Sequence, residues 1–290
     1  MLDGGLATTL EERGLKLPGP LWSAHALLTR PGRVAEAHRA FVRAGAEVLL
    51  TASYQLSSVG LAAQGVDPDR HDELFERSVG LARAAATDAG HPVWVAGSLG
   101  PYGAALADGS EYTGDYGVAQ AALRDFHAPR VEALLAADVD LLAVETLPSG
   151  EEAAVIAEVL RGTDRPAWLS VTLAGDGTRT PRGEPLLEAL GPALEVDEVV
   201  AVGVNCCPPD LVVPALGALA PAARRGRALL AKPNAGARWD PVHQRWSRDH
   251  DPPDPAAWIA AGARLIGGCC GTGPDDLARL VAAVRQPSTR

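Results

Sequence analysis

Basic residues are in short supply in this 290-residue sequence. Its 26 Lys and Arg stand against 36 Asp and Glu, a formal charge of −10. A surface of that sign does not attract a phosphate backbone, so no nucleic-acid partner is expected. Long apolar runs are missing too. Nothing approaches the roughly 18–20 residues that cross a bilayer, and no membrane association is expected. The opening MLDGGLATTLEERG lacks a basic stretch leading into an apolar one, so no export signal is read there and a cytoplasmic location is expected. No GxGxxG follows an early strand, which argues against a dinucleotide fold. Neither a low-complexity linker nor a short repeat divides the chain, and residues 1–290 are expected to form one domain. The single Met and the bias toward Ala, Arg, Gly and Pro reflect codon composition more than function.

What is present is an alternation. Apolar, β-prone runs occur at 47–53, 93–98, 139–146, 167–173, 199–206, 228–234 and 264–270, with a stub at 1–3 ahead of Gly4-Gly5. Amphipathic, helix-like stretches occur at 33–44, 70–89, 117–137, 151–160, 184–194, 208–223, 255–261 and 275–284. Near-continuous apolar strands imply burial on both faces, as in a parallel sheet covered by helices. Eight such units at this length fit a single closed (β/α)8 TIM barrel. The first stave is shorter than an ordinary strand. Either it begins upstream of Met1 or the barrel has a weakened stave there.

In such a barrel the chemistry gathers at the carboxyl ends of the strands. Those ends carry Asp3, Thr51, Ser98, Glu145, Thr172, Cys206, Asn234 and the pair Cys269-Cys270. Structural disulfides are not expected of the four cysteines in a reducing compartment. Adjacent residues of a regular strand face opposite ways, so Cys269 and Cys270 cannot share one ion from an ideal strand. Gly267, Gly268 and Gly271 let the backbone leave that geometry. With Cys206 as a third thiolate, the set suits a catalytic zinc with one open position. Small cysteines that merely fill a core remain the alternative.

The segments DGGLATTLEERG, PLWSAHAL, TASYQ (51–55), GSLGPYGA (97–104), ADGSEYTGDY (107–116), ETLP (145–148), GVNC (203–206) and GGCCGT (267–272) resemble the homocysteine S-methyltransferase family, in the family's order and across almost the whole chain. PLWSA, TASYQ and GSEYTGDY are most similar to its S-methylmethionine-using branch. The resemblance implies a (β/α)8 barrel with Zn²⁺ held by Cys206, Cys269 and Cys270 at the C-terminal ends of the strands. Cys207 has no counterpart in the motif and is left as a spare buried thiol. The implied substrates are homocysteine and a methyl sulfonium. Asp3 and Glu145 would hold the acceptor's ammonium, with Gly4 and Thr51 also at the substrate. No residue beyond a zinc-activated substrate thiolate is expected to be catalytic. The chain has nothing resembling the folate and cobalamin modules of methionine synthase.

The chemistry is self-consistent. Only a thiolate attacks efficiently, and a coordinated thiol is deprotonated. A sulfonium leaves as a neutral thioether, so neither a general acid nor a redox cofactor is needed. Asn205, beside Cys206, is a candidate for orienting that ligand. Trp22 and loop 107–116, with Asp108, Glu111, Tyr112, Asp115 and Tyr116, are candidates for holding the sulfonium. His127 reads as a packing residue. Two other readings stay open: an aldolase-type lyase with Lys232 as Schiff-base nucleophile, and a zinc store that has no substrate.

Overall fold

The computed structural model describes residues 1–19, 21–236, 239–240, 245–246 and 255–285. Its strands are β1 (Val48–Leu50), β2 (Trp94–Leu99), β3 (Leu141–Leu147), β4 (Ala167–Val171), β5 (Val199–Asn205), β6 (Ala228–Lys232), β7 (Trp239–Asp240), β8 (Arg245–Trp246) and β9 (Ala263–Ile266). Seven of them form a parallel sheet in the order β1-β2-β3-β4-β5-β6-β9, while β7 and β8 pair separately and antiparallel. Sequential strands are neighbours because each returns through helical structure on the same side, the geometry right-handed crossovers require.

The core has two layers that follow the strand period of two. Leu49, Val95, Leu142, Val202 and Leu229 lie in the larger cluster between sheet and helices. Their strand neighbours Leu50, Ala96, Ala143, Ala201 and Leu230 form a second cluster with Leu2 and Trp168. Trp168 is the largest side chain of that second cluster, among leucines and alanines.

The expected eighth strand is present as a single bridge. Leu2 pairs with Val48 in parallel, and its N–H donates to Ile266 O at 2.8 Å, so this backbone stands between the two edge strands of the sheet. Gly268 N donates to Asp3 O at 3.1 Å on the same side. Three residues ahead of Gly4-Gly5 are too few for more. A Cβ on Gly267 would lie 2.7 Å from that of Leu2, so glycine is what lets the N-terminal stave sit against the end of β9.

The helices differ from the sequence reading where proline intervenes. The 33–44 segment is the helix Pro31–Ala44, started by Pro31 and closed by Gly45 at φ 102°. The 184–194 segment splits into Leu186–Ala189 and Gly191–Leu194, since Pro192 offers no N–H to carry one helix through. The 208–223 segment starts late, with a 3-10 turn Pro209–Leu211 before the helix Val212–Arg224. No helix among the described residues is long and apolar enough to cross a membrane.

Candidate metal and substrate site

At the carboxyl ends of the strands lies a cavity of about 620 Å³ whose walls include Glu145, Cys206, Lys232, Cys269 and Cys270. β5 stops at Asn205, and Cys206 turns out of it at φ 49°. Beyond β9, Gly267 and Gly268 carry the chain to Cys269, whose N–H donates to Pro233 O at 2.7 Å. The strand ends where glycine begins, so both adjacent cysteines are free of the alternation that would have separated them. The sulfurs of Cys206, Cys269 and Cys270 lie within 4.8 Å of one another, with Cys206 and Cys270 at 3.8 Å. Sulfur–hydrogen contacts from its two neighbours hold the Cys269 thiol well below the ordinary range, while the same contact with Cys269 pushes Cys206 well above it. Three thiols this close repel one another once ionised, so a cation among them is what would let all three be thiolates. Cys207 is buried in the outer core, its thiol raised by desolvation.

Beside the sulfurs sit two carboxylates and a lysine. Asp3 is 1% exposed and its Oδ2 accepts from Leu50 N at 2.8 Å, while Oδ1 has no hydrogen-bond partner. Glu145, at the end of β3, is 3% exposed, and its Oε1 lies 3.5 Å from Lys232 Nζ. Burial pushes both carboxyls up to about 7, against the pull of Lys232. Burial alone would lower Lys232, yet Glu145, Cys269 and Asp3 outweigh it and hold the amine above its ordinary range. Two buried carboxyls share one lysine, and Asp3 Oδ1 is a buried acceptor without a hydrogen-bond partner, a setting that favours a further cationic group. The sequence placed Lys232 at a strand end but only as a nucleophile. Its pairing with Glu145 was not visible there, because three-dimensional neighbours decide it.

The other expected residues divide. A Cβ on Gly4 would lie 2.4 Å from Thr272 O and 2.8 Å from Phe41 Cε1, so no other residue fits behind Asp3. Thr51 lines the cavity, but its hydroxyl is engaged with Ser53 Oγ at 2.7 Å and with Ser98 N at 2.9 Å. Asn205 makes no hydrogen bond to a sulfur among the described residues. Its carboxamide accepts from Thr146 N and Ser170 Oγ and donates to Thr146 Oγ1, each at 2.7 Å. His127 is fully buried with its Nε2 2.9 Å from Glu152 Oε1, as a packing residue would be.

Loop 107–116 is also divided. Tyr112 places its hydroxyl 3.2 Å from Cys206 Sγ, and with Glu111 and Trp22 it lines the cavity. Tyr116 instead donates to Glu152 at 2.9 Å, and exposed Asp115 faces Arg182. Glu11, on the same wall, accepts from Trp22 Nε1 at 3.4 Å and was not singled out in the sequence. Desolvation raises the carboxyls of both Glu111 and Glu11.

The fold and site therefore define a class: a parallel α/β protein with a three-thiol, metal-competent cluster and buried carboxylates at its strand ends. The family model described as homocysteine S-methyltransferase matches residues 1–284, and the chain belongs to that family. It is 44% identical to homocysteine S-methyltransferase of Escherichia coli (strain K12), covering 97% of this chain and 94% of that protein. It is 35% identical to selenocysteine methyltransferase of Astragalus bisulcatus, covering 96% and 90%. The metallated form of the E. coli homocysteine methyltransferase MmuM superposes with a TM-score of 0.85 at 41% identity, covering 98% of this chain and 95% of that one.

Proposed function

We propose that this chain is a zinc-dependent enzyme that transfers a methyl group from a sulfonium, S-methylmethionine before S-adenosylmethionine, to the thiol of homocysteine, giving methionine. The observation that carries this is three thiols within 4.8 Å of one another beside two buried carboxyls, each with an oxygen that has no hydrogen-bond partner. Residues 1–290 act as one (β/α)8 barrel in this reading, with the Leu2 bridge as its eighth stave; the edge-to-edge hydrogen bonds of Leu2 support it.

The sulfur geometry fits zinc. Tetrahedral Zn–S bonds of about 2.3 Å put the sulfurs about 3.8 Å apart, the separation of Cys206 and Cys270. Cys206, Cys269 and Cys270 would be the ligands, leaving a fourth position for the acceptor. When bound, zinc supplies the positive charge that strips the proton from the acceptor thiol at neutral pH. Asp3 and Glu145 receive the acceptor's ammonium as a second cation beside Lys232. Gly4 lets the backbone stay close enough for Asp3 to reach, and Thr51 forms wall. Glu11, Glu111, Trp22 and Tyr112, across the cavity, present carboxylates and aromatic faces to a sulfonium. Methyl transfer then needs alignment of donor carbon with acceptor sulfur, and the donor departs as a neutral thioether.

Lys232 argues against the aldolase reading: a Schiff-base lysine must be deprotonated, whereas this buried amine lies 3.5 Å from the Glu145 carboxylate, a pairing that favours its protonated form. A zinc store has no use for Asp3 and Glu145. The test is metal analysis of protein purified without chelator, followed by methionine formation from homocysteine with each sulfonium and with glycine betaine. About one zinc per chain is expected for such a site, with kcat/KM highest for S-methylmethionine. Metal-free protein, or no methyl transfer from any donor, overturns the assignment; betaine as best donor overturns the donor choice alone.

A further inference from the structure

Thr146 follows Glu145 and adopts φ 64°, a left-handed conformation that a β-branched residue rarely takes. Cys206 follows Asn205 and sits at φ 49°. At Thr146 the pairing of β3 with β4 is interrupted, its register shifting between Val144 and Leu147. Such backbone persists only where surrounding structure over-determines it, and Asn205, with Tyr54 also at the Thr146 side chain, contributes to that here. The Asn205 carboxamide binds both the N–H and the hydroxyl of Thr146, and Ser170 Oγ on the intervening strand fixes the amide's orientation by donating to the same Oδ1. Asn205 is fully buried. It thus reaches from β5 across β4 to the end of β3, and ties the residue after Glu145 to the residue before Cys206.

We propose that Asn205 is a positioning residue that fixes the separation between the Glu145 carboxylate and the Cys206 sulfur, and so selects acceptor thiols by chain length. This rests on the function proposed above. An acceptor held at its ammonium by Glu145 and at its sulfur by the three-thiol site must span a set distance. Homocysteine and cysteine differ by one methylene in that span, with ammonium, carboxylate and thiol otherwise alike. A rigid separation rewards one length; a loose one accommodates both. A single methylene in a well-fitted site is worth roughly 10- to 200-fold in kcat/KM. Asp3, the other clamp, is fixed separately by Leu50 N and Gly268 N, so the Asn205 tie governs the Glu145 end of the span. The methyl moves from donor sulfur to acceptor sulfur and the thiol proton is released in both cases, so only fit distinguishes them.

The test compares homocysteine with cysteine as acceptor, at saturating S-methylmethionine, in Asn205→Ala, Thr146→Val and Thr146→Ser, with metal content measured on each. Thr146→Val keeps the branched shape but loses the hydroxyl that accepts from Asn205, and Thr146→Ser retains it. Asn205→Ala should lower the homocysteine-to-cysteine ratio of kcat/KM about tenfold or more, mainly through a higher KM for homocysteine, with metal content unchanged. Thr146→Val should move the ratio the same way and less, and Thr146→Ser should restore it. If Asn205→Ala fails to fold, the Val and Ser variants decide by the same ratio. A ratio that stays at the wild-type value while overall rate falls, or a ratio change that tracks loss of metal, overturns the proposal. Wild-type protein that transfers no methyl to homocysteine overturns the functional reading and this one with it; active wild type with an unmoved ratio overturns this one alone.

Discussion

Replacing Glu145 by Gln keeps the shape of the side chain and removes its charge. Two consequences follow from its surroundings. Toward the acceptor, the loss is one charge-assisted hydrogen bond to an ammonium, about 1.5–3 kcal/mol. At about 1.4 kcal/mol per decade, that weakens homocysteine binding on the order of 10- to 100-fold. Toward the protein, Lys232 loses the partner 3.5 Å away. Stripping one partner from a buried pair typically costs about 3–5 kcal/mol. The lower end applies because Asp3 and the Cys269 thiolate still act on Lys232. The two effects separate experimentally. Denaturant titration reads the second; homocysteine KM, taken where the variant is fully folded, reads the first. Metal content should not change, because Glu145 is not among the three sulfur donors. An unchanged KM for homocysteine refutes the clamp, and metal lost in step with binding shows that the variant acts through the thiols instead.

Cys206→Ala and Cys269→Ala should each lose bound metal and activity by metal analysis and assay, while Cys207→Ala keeps both, since Cys207 packs in the outer core; the reverse pattern would show the ligand set to be wrong. His38 is fully buried with both ring nitrogens unpartnered, and burial lowers it from 6.5 to about 4. The unfolded chain therefore binds the extra proton between those values, so the His38 contribution to stability should be full above about pH 6.5 and fall by about 3 kcal/mol toward pH 4, opposite in sign to that of the raised carboxyls Asp3 and Glu145. His38→Leu should flatten that part of a urea-midpoint-versus-pH curve, and an unaltered curve would show that other groups govern it. Gly4→Ala drives a Cβ against Thr272 O and Phe41, which should destabilise the fold by about 1–3 kcal/mol and raise homocysteine KM by displacing Asp3; wild-type stability would show that this contact relaxes.

The sequence by itself determined the alternation of strands and helices, the gathering of polar termini at one end, and the three cysteines. Those features are local: a short, near-continuous apolar run between helix-like stretches reads as a strand buried on both faces, and Gly267-Gly268 permits a break whatever lies beside it. The family resemblance added Asp3 and Glu145. Tertiary structure alone decided what those groups face. Lys232 is a counter-ion and not a nucleophile because β6 places it against Glu145. Asn205 braces Thr146 instead of a cysteine because β5 lies two strands from β3, a neighbourhood separated by 59 residues of chain. Loop 107–116 supplied Tyr112 and Glu111 to the cavity but sent Tyr116 to Glu152, a division no composition of the loop could reveal. Charge, burial and pKa are properties of surroundings, and surroundings are assembled only when distant strands close on one another.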